Sequence, residues 1–337
     1  MRRAPAVVAA VGMVLVALFI RGTFSDDGGA SGGEAGGGQA PSDLTIACPP
    51  ELAEPCRSAF GDGAVIEPAG TTLDQLAQGA NEVDAWLVSR PWAEGAQADF
   101  AGEVDSVTTT GAQSPIVIAV WSDRREFLAG DGCKRPFGLG CLGDVAGRSF
   151  TDLGASFPED VTVGLTDLST MSGFDVVSGG ASSFFGRDDF ASNDFDSSFQ
   201  TWLRSVQSDA VTSTGQLETM FTIGPARFTA VVGVEAVLRP LEEKAARSSE
   251  IDLLATPTSS ELFVVDFTGE PDASGAADDS DLLDALAEAG WRVPGQESPS
   301  PLATTDDSVN LTDPSTDGMA VREGVLAALR SLAESTS

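Results

Sequence analysis

The side chains best equipped for chemistry in this chain are acids, hydroxyls and a few arginines. Histidine and tyrosine are absent, and Lys134 and Lys244 are the only lysines. Without histidine, neither a Ser-His-Asp nor a Cys-His relay can be assembled, and no His-ligated zinc or iron site can form. Neither lysine stands in a Ser-x-x-Lys context. The 51 acidic residues leave carboxylate chemistry formally open but single out no pair. The run Asp188, Asp189, Asp194, Asp196 lacks the glycine and terminal glutamate of a calcium loop and reads as a solvated face. A formal net charge of −32 argues against nucleic-acid binding, which needs clustered Lys and Arg. It also disfavours docking on an anionic membrane surface. The expectation is a protein without enzymatic activity, cofactor or metal.

The elements that position these side chains alternate. Apolar runs at 44–47, 64–66, 83–88, 115–121, 161–165, 228–232, 251–254 and 262–267 read as strands. Helical patterning falls at 51–60, 72–79 with a threonine cap, 174–185, 197–206, 233–238, 281–289 and 321–333. Strand, helix, strand, helix, strand at the front of the chain is the pattern of a parallel α/β sheet, so the fold class is α/β. Residues 294–314, rich in Pro, Ser, Thr and Asp, read as a surface meander.

In such a sheet, ligands bind beyond the carboxyl ends of the strands. That rule selects the loops after Ala47, Val88 and Leu165. Ser169, Thr170, Met171 and Ser172 open a helix, whose free N–H groups favour an oxyanion or carboxylate; the competing reading is simple capping. Ser89, Arg90 and Trp92 form a second group, in which Arg90 could grip an anion and Trp92 could wall the pocket. The competing reading is a solvated arginine and a core tryptophan. Pro50 and Glu51 form a third group, but Pro49 and Pro50 remove two N–H donors where an oxyanion would be held. Ser114 and Thr222 complete the candidate set.

Arg2 and Arg3 precede an uncharged apolar run over 4–20, followed by Arg21, Asp26 and Asp27. This charge order puts the N-terminus inside and the rest of the chain outside. Residues 1–21 are therefore expected to be a membrane anchor or signal segment, and 22–42 a Gly/Ser-rich linker. Cys48 with Cys56 and Cys133 with Cys141 are equally spaced. Four cysteines permit three connectivities; local disulfides suit an oxidising compartment, and the Cys-x-x-Cys knuckles of a metal site do not occur.

The segments LTIACPPELAEPCRSAF, NEVDAWLVSRPW, SPIVIAVW, VGLTDLSTMSGF, TIGPARFTAVVGVEAVL and LLDALAEAGWRVPG, in that order, resemble the type II periplasmic solute-binding proteins. The chain is most similar to membrane-tethered actinobacterial members often joined to von Willebrand factor A modules. The resemblance implies a two-lobe protein with a ligand cleft between lobes, 43–113 plus 249–337 forming lobe one and 114–248 lobe two. It further implies capture of a small molecule or ion for an ABC permease, or work with a von Willebrand factor A-type envelope partner. The alternative is an envelope scaffold reusing the same fold.

Overall fold

Short apolar runs closed by turn signals become strands, and the first three build one end of a sheet. Strand β1 (Ile46–Cys48) is wholly buried. Pro49 and Pro50 end it, and a single 3-10 turn over Pro50–Leu52 leads into helix α1 (Ala53–Phe60). Strand β2 (Ala64–Ile66) pairs parallel with β1. Helix α2 (Ala69–Ala77) starts after Pro68, ahead of the expected threonine cap. Thr72 is buried instead, donating its hydroxyl to Glu67 at 2.7 Å. Strand β3 (Ala85–Ser89) pairs parallel on the other side of β1. Helix α3 (Arg90–Asp99) follows at once, with Pro91 in its first turn, where the missing N–H costs nothing.

The next strand changes the architecture. Strand β4 (Ser106–Trp121) is 16 residues long, extending well ahead of the apolar run at 115–121. Beyond it come α4 (Ser122–Leu128), α5 (Leu139–Val145), the short β5 (Val163–Gly164), α6 (Met171–Phe185) and α7 (Ser197–Val206). Helix α8 (Thr214–Ile223) occupies a stretch without clear periodicity in the sequence. Strand β6 (Ala230–Val234) and helix α9 (Glu235–Glu243) come next. Strand β7 (Ile251–Asp266) is one continuous element of 16 residues, where the sequence suggests two strands. Its polar middle stays in the strand because residues 259–261 pair with β4, with Ser259 opposite Pro115 and Ser260 opposite Ser114, while 256–258 fall in a register shift. Helix α10 (Ser280–Glu288) and strand β8 (Ala303–Thr304) complete the set.

The strands form a single sheet in the order β2-β1-β3-β7-β4-β6-β5, with β8 added along β7. The sheet is mixed, which corrects the parallel expectation. The β1–β2, β1–β3, β5–β6 and β7–β8 pairs are parallel, whereas β3–β7, β4–β7 and β4–β6 are antiparallel. Strands β4 and β7 serve both ends of the sheet. Residues 262–266 of β7 pair with β3, while residues 116–120 of β4 pair with β6. Between those stretches the β4–β7 register shifts twice, at Thr109/Gln113 and Pro115/Val117. Gly111, at φ 71°, lies in the first shift, and Pro115, which has no N–H to donate, lies in the second.

The computed structural model describes residues 44–129, 133, 135, 137–187, 190–211, 214–269, 273, 275–305, 325, 328, 329 and 331, all within one compact unit. The expected anchor and linker over 1–42, and most of the helix expected at 321–333, lie outside these residues. Among the described residues, no helix is long and apolar enough to cross a membrane. Disulfides join Cys48 to Cys56 and Cys133 to Cys141, the local pairing.

Candidate functional site

The carboxyl ends of β1 and β3, the start of α6 and the middle of β7 meet in one crevice. Its centre is Asp175, in the first turns of α6 and 2% exposed. Ser89, the last residue of β3, donates its hydroxyl to one oxygen of this carboxylate at 2.6 Å. Ser260 of β7 donates to the other at 2.5 Å. Both serines are buried. Burial pushes the Asp175 carboxyl up to about 7, against the pull of the two serine hydroxyls, and the nearby charge of Glu51 acts in the same upward direction. A buried carboxylate held this way is costly when ionised, and it is therefore the most unusual group in the crevice.

Glu51 follows Pro50, which is exposed at the start of the turn after β1. One Glu51 oxygen accepts from the Ser172 backbone N–H at 3.2 Å and from the Ser172 hydroxyl at 3.0 Å. The N-terminus of α6, where an anionic ligand was expected, is thus occupied by the chain's own carboxylate. Thr170 is the helix cap, its hydroxyl accepting from Gly173 N–H at 3.0 Å. Ser169 is exposed and tied to Asp167; its carbonyl accepts from Gly70 N–H of α2 at 3.0 Å. Met171 is fully buried in the core. The capping reading holds for Thr170, and only Ser172 of this group faces the crevice through a polar bond.

Arg90 does not offer a free guanidinium. It forms an ion pair with Glu261 of β7, whose other oxygen accepts from Thr109 at 2.9 Å, and it lies 5.3 Å from the Phe263 ring centroid. Its guanidinium is thus already paired within the chain through Nη2. Trp92 is fully buried, with its ring centroid 5.1 Å from that of Phe174 and 6.1 Å from that of Trp86. Ser114 is buried opposite Ser260, and its hydroxyl accepts from Ala236 N–H at 3.0 Å. Thr222 is exposed on α8, donating to the Glu218 carbonyl at 3.2 Å. Among the described residues, no hydrogen bond brings Thr222 to the crevice group.

Three buried polar atoms on residues of the elements that bound this crevice have no hydrogen-bond partner among the described residues: Glu51 Oε2, Arg90 Nε and Trp92 Nε1. The space left is small. A cavity of about 10 Å³ is lined by Arg90, Asp175 and Glu261 among others, enough for roughly one water molecule. A larger groove of about 450 Å³ lies against Leu139, Gly179, Phe184 and Pro257. Three of its polar side chains are already engaged: Arg135 pairs with Asp144 at 2.5 Å, Ser183 accepts from Gly140 N–H at 3.2 Å, and Thr256 donates to the Ile116 carbonyl at 2.9 Å. The groove is roomy, and none of the buried unpaired polar atoms among the described residues lines it. Among the described residues, no cluster of three or more metal-ligating side chains occurs.

Asp175, Ser260 and Glu261 escape the sequence reading. Asp175 left one signal, a lone acid inside the otherwise uncharged run MSGFDVVSGG. Ser260 and Glu261 fall in the polar stretch that reads as a break between strands. Glu235 is a further buried acid, 1% exposed. It accepts from Arg239 Nε and Arg292 Nη2, each at 2.8 Å, and this tie anchors the start of α9 to the turn after α10.

No protein-family model matches the chain, and no curated protein matches it in sequence. Solved structures do match. The periplasmic binding protein AfuA from Actinobacillus pleuropneumoniae, solved with fructose-6-phosphate bound, is 11% identical with a TM-score of 0.52, covering 87% of this chain and 96% of its own. Iron-bound HitA from Pseudomonas aeruginosa is 10% identical with a TM-score of 0.53, covering 87% and 99%. Likeness at this identity concerns the fold: the chain has a mixed α/β fold like that of periplasmic binding proteins.

Proposed function

We propose that the chain is an extracytoplasmic, membrane-anchored solute-binding protein that takes a small polar ligand between two lobes. Residues 43–113 with 249–337 form one lobe and 114–248 the other, and residues 1–21 supply the anchor. The ligand passes to an ABC-type importer or is reported to an envelope partner. The observation that carries this reading is that three residues on the elements around Asp175 each keep a buried polar atom without a partner among the described residues: Glu51 Oε2, Arg90 Nε and Trp92 Nε1, one acceptor and two donors. Unpaired buried groups are rare in folded proteins and are what a bound polar solute satisfies. The two register shifts in β4 and β7 support a hinge, since a long pair with broken pairing bends there most readily. The solute that fits offers at least one donor and one acceptor.

The test is a thermal-shift screen of the full chain against sugars, sugar phosphates, amino acids, amines, inorganic anions and metal ions. A concentration-dependent rise in Tm for one class supports capture, because ligand binding to the folded state stabilises it by mass action. A flat response across all classes contradicts it.

A second reading, an envelope interaction protein without a small ligand, is favoured by a different observation. The chain's own side chains fill the crevice and leave a cavity of about 10 Å³. The flat screen, together with a protein partner such as a von Willebrand factor A-type envelope protein, is its expected outcome.

A further inference from the structure

We propose that Asp175 is a proton-operated latch: neutral, it allows the two lobes to close on each other without a solute, and ionised, it favours their separation. The proposal rests on the two-lobe reading above and concerns the regulation of the same crevice. Asp175 belongs to α6, beyond β5 at one end of the sheet. Its two hydrogen-bond partners, Ser89 and Ser260, belong to β3 at the other end and to the connecting strand β7. One carboxyl group therefore ties three elements together across the crevice. Two further contacts span the same gap, Glu51 with Ser172 and Gly70 N–H with the Ser169 carbonyl. Neither adds a cation. The charged groups facing Asp175 are Glu51 from the turn after β1, Arg90 from the start of α3, and Glu261 from β7. Arg90 is committed to Glu261, so among the described residues the Asp175 charge has no free counter-ion.

The sign follows from the surroundings. In the closed form the carboxyl is raised to about 7 from 3.8 by burial, with the two serines opposing and Glu51 assisting. In an open form, water reaches the carboxyl and its ordinary value returns. Closure thus takes up a proton. Acid favours the closed form, and that advantage is lost as pH rises through about 7. Serine hydroxyls suit this duty because they donate to a carboxylate and can turn to accept from a carboxylic acid.

The experiment measures the distance between ends of the sheet in the full chain, without any solute. Spin labels on Gln78→Cys and Glu218→Cys, both exposed positions, report on α2 and α8. The four native cysteines are in disulfides. The expected result is a closed-to-open ratio that falls by up to about tenfold per pH unit below the midpoint. Asp175→Asn should abolish the pH dependence and stay closed. Ser260→Ala should keep a pH-dependent transition while shifting its midpoint, which guards against a variant that simply misfolds. A wild-type distance independent of pH, or an Asp175→Asn variant with the wild-type transition, overturns the latch. Because no solute is present, a failed latch leaves the capture reading standing, and a flat solute screen leaves the latch standing.

Discussion

At the scale of residues, three side chains carry most of the argument. Asp175 has a carboxyl raised to about 7 by burial, so the native state is relieved of a buried charge at acid pH and carries one at alkaline pH. Relative to wild type, Asp175→Asn should therefore raise Tm most at about pH 8, less at about pH 5, and change little only near the ordinary value of 3.8, a difference of a few kcal/mol at most. Calorimetric melting curves between about pH 4 and pH 8 check this; an effect independent of pH across that range would contradict it. Arg90→Ala should destabilise by roughly 2 kcal/mol, since it strands the largely buried Glu261. Adding Glu261→Gln should restore part of the loss, which a double-mutant cycle in urea measures. Trp92→Ala should cost about 3–5 kcal/mol, because the side chain is fully buried and not a wall open to solvent. The sequence pointed to Ser89, Arg90 and Trp92 because they follow an apolar strand ending in a turn signal. It could not reveal that Arg90 is neutralised from 171 residues away, since that pairing depends on the sheet order.

At the scale of elements, local pattern was informative wherever an element makes its own case. Helix α7 lies at 197–206 as expected, opened by Asp196, whose carboxylate accepts from the Ser198 and Phe199 N–H groups. The β1, β2 and β3 runs are near their expected places. What local pattern missed is the long β4–β7 pair. Its central residues are polar and include Pro115 and Gly111, all of which argue against a strand when read singly. They remain extended because each strand supplies the other's partner. Gly111 is held at φ 71°, and a Cβ there would come within 2.9 Å of Pro294. Gly111→Val should consequently cost about 1–3 kcal/mol and alter the distance between ends of the sheet. Retention of wild-type Tm would place the strain elsewhere. The local disulfides each close a short loop, so reduction should destabilise the native state by about 2–3 kcal/mol per bond, visible as a lower urea midpoint.

At the scale of the whole molecule, the proposed two-lobe reading rests on a sheet whose ends share two long strands with broken register between them. The order of strands and helices made the binding-protein fold legible from six short segments, each unremarkable by itself. The state of the crevice was not legible, because it depends on contacts between Glu51 and Ser172, and between Asp175 and Ser89, more than 80 residues apart in the chain. Those contacts tie the ends together while, among the described residues, Glu51 Oε2, Arg90 Nε and Trp92 Nε1 keep no partner, an arrangement that suits the proposed capture, in which a bound solute adds hydrogen bonds. The most direct test is the distance between labels at positions 78 and 218, recorded above the Asp175 midpoint with each solute class in turn. Capture between lobes predicts that one class shifts the distribution to the closed distance and that Glu51→Ala weakens that shift. An identical distribution with every class would contradict capture and leave an envelope interaction protein that only shares the fold.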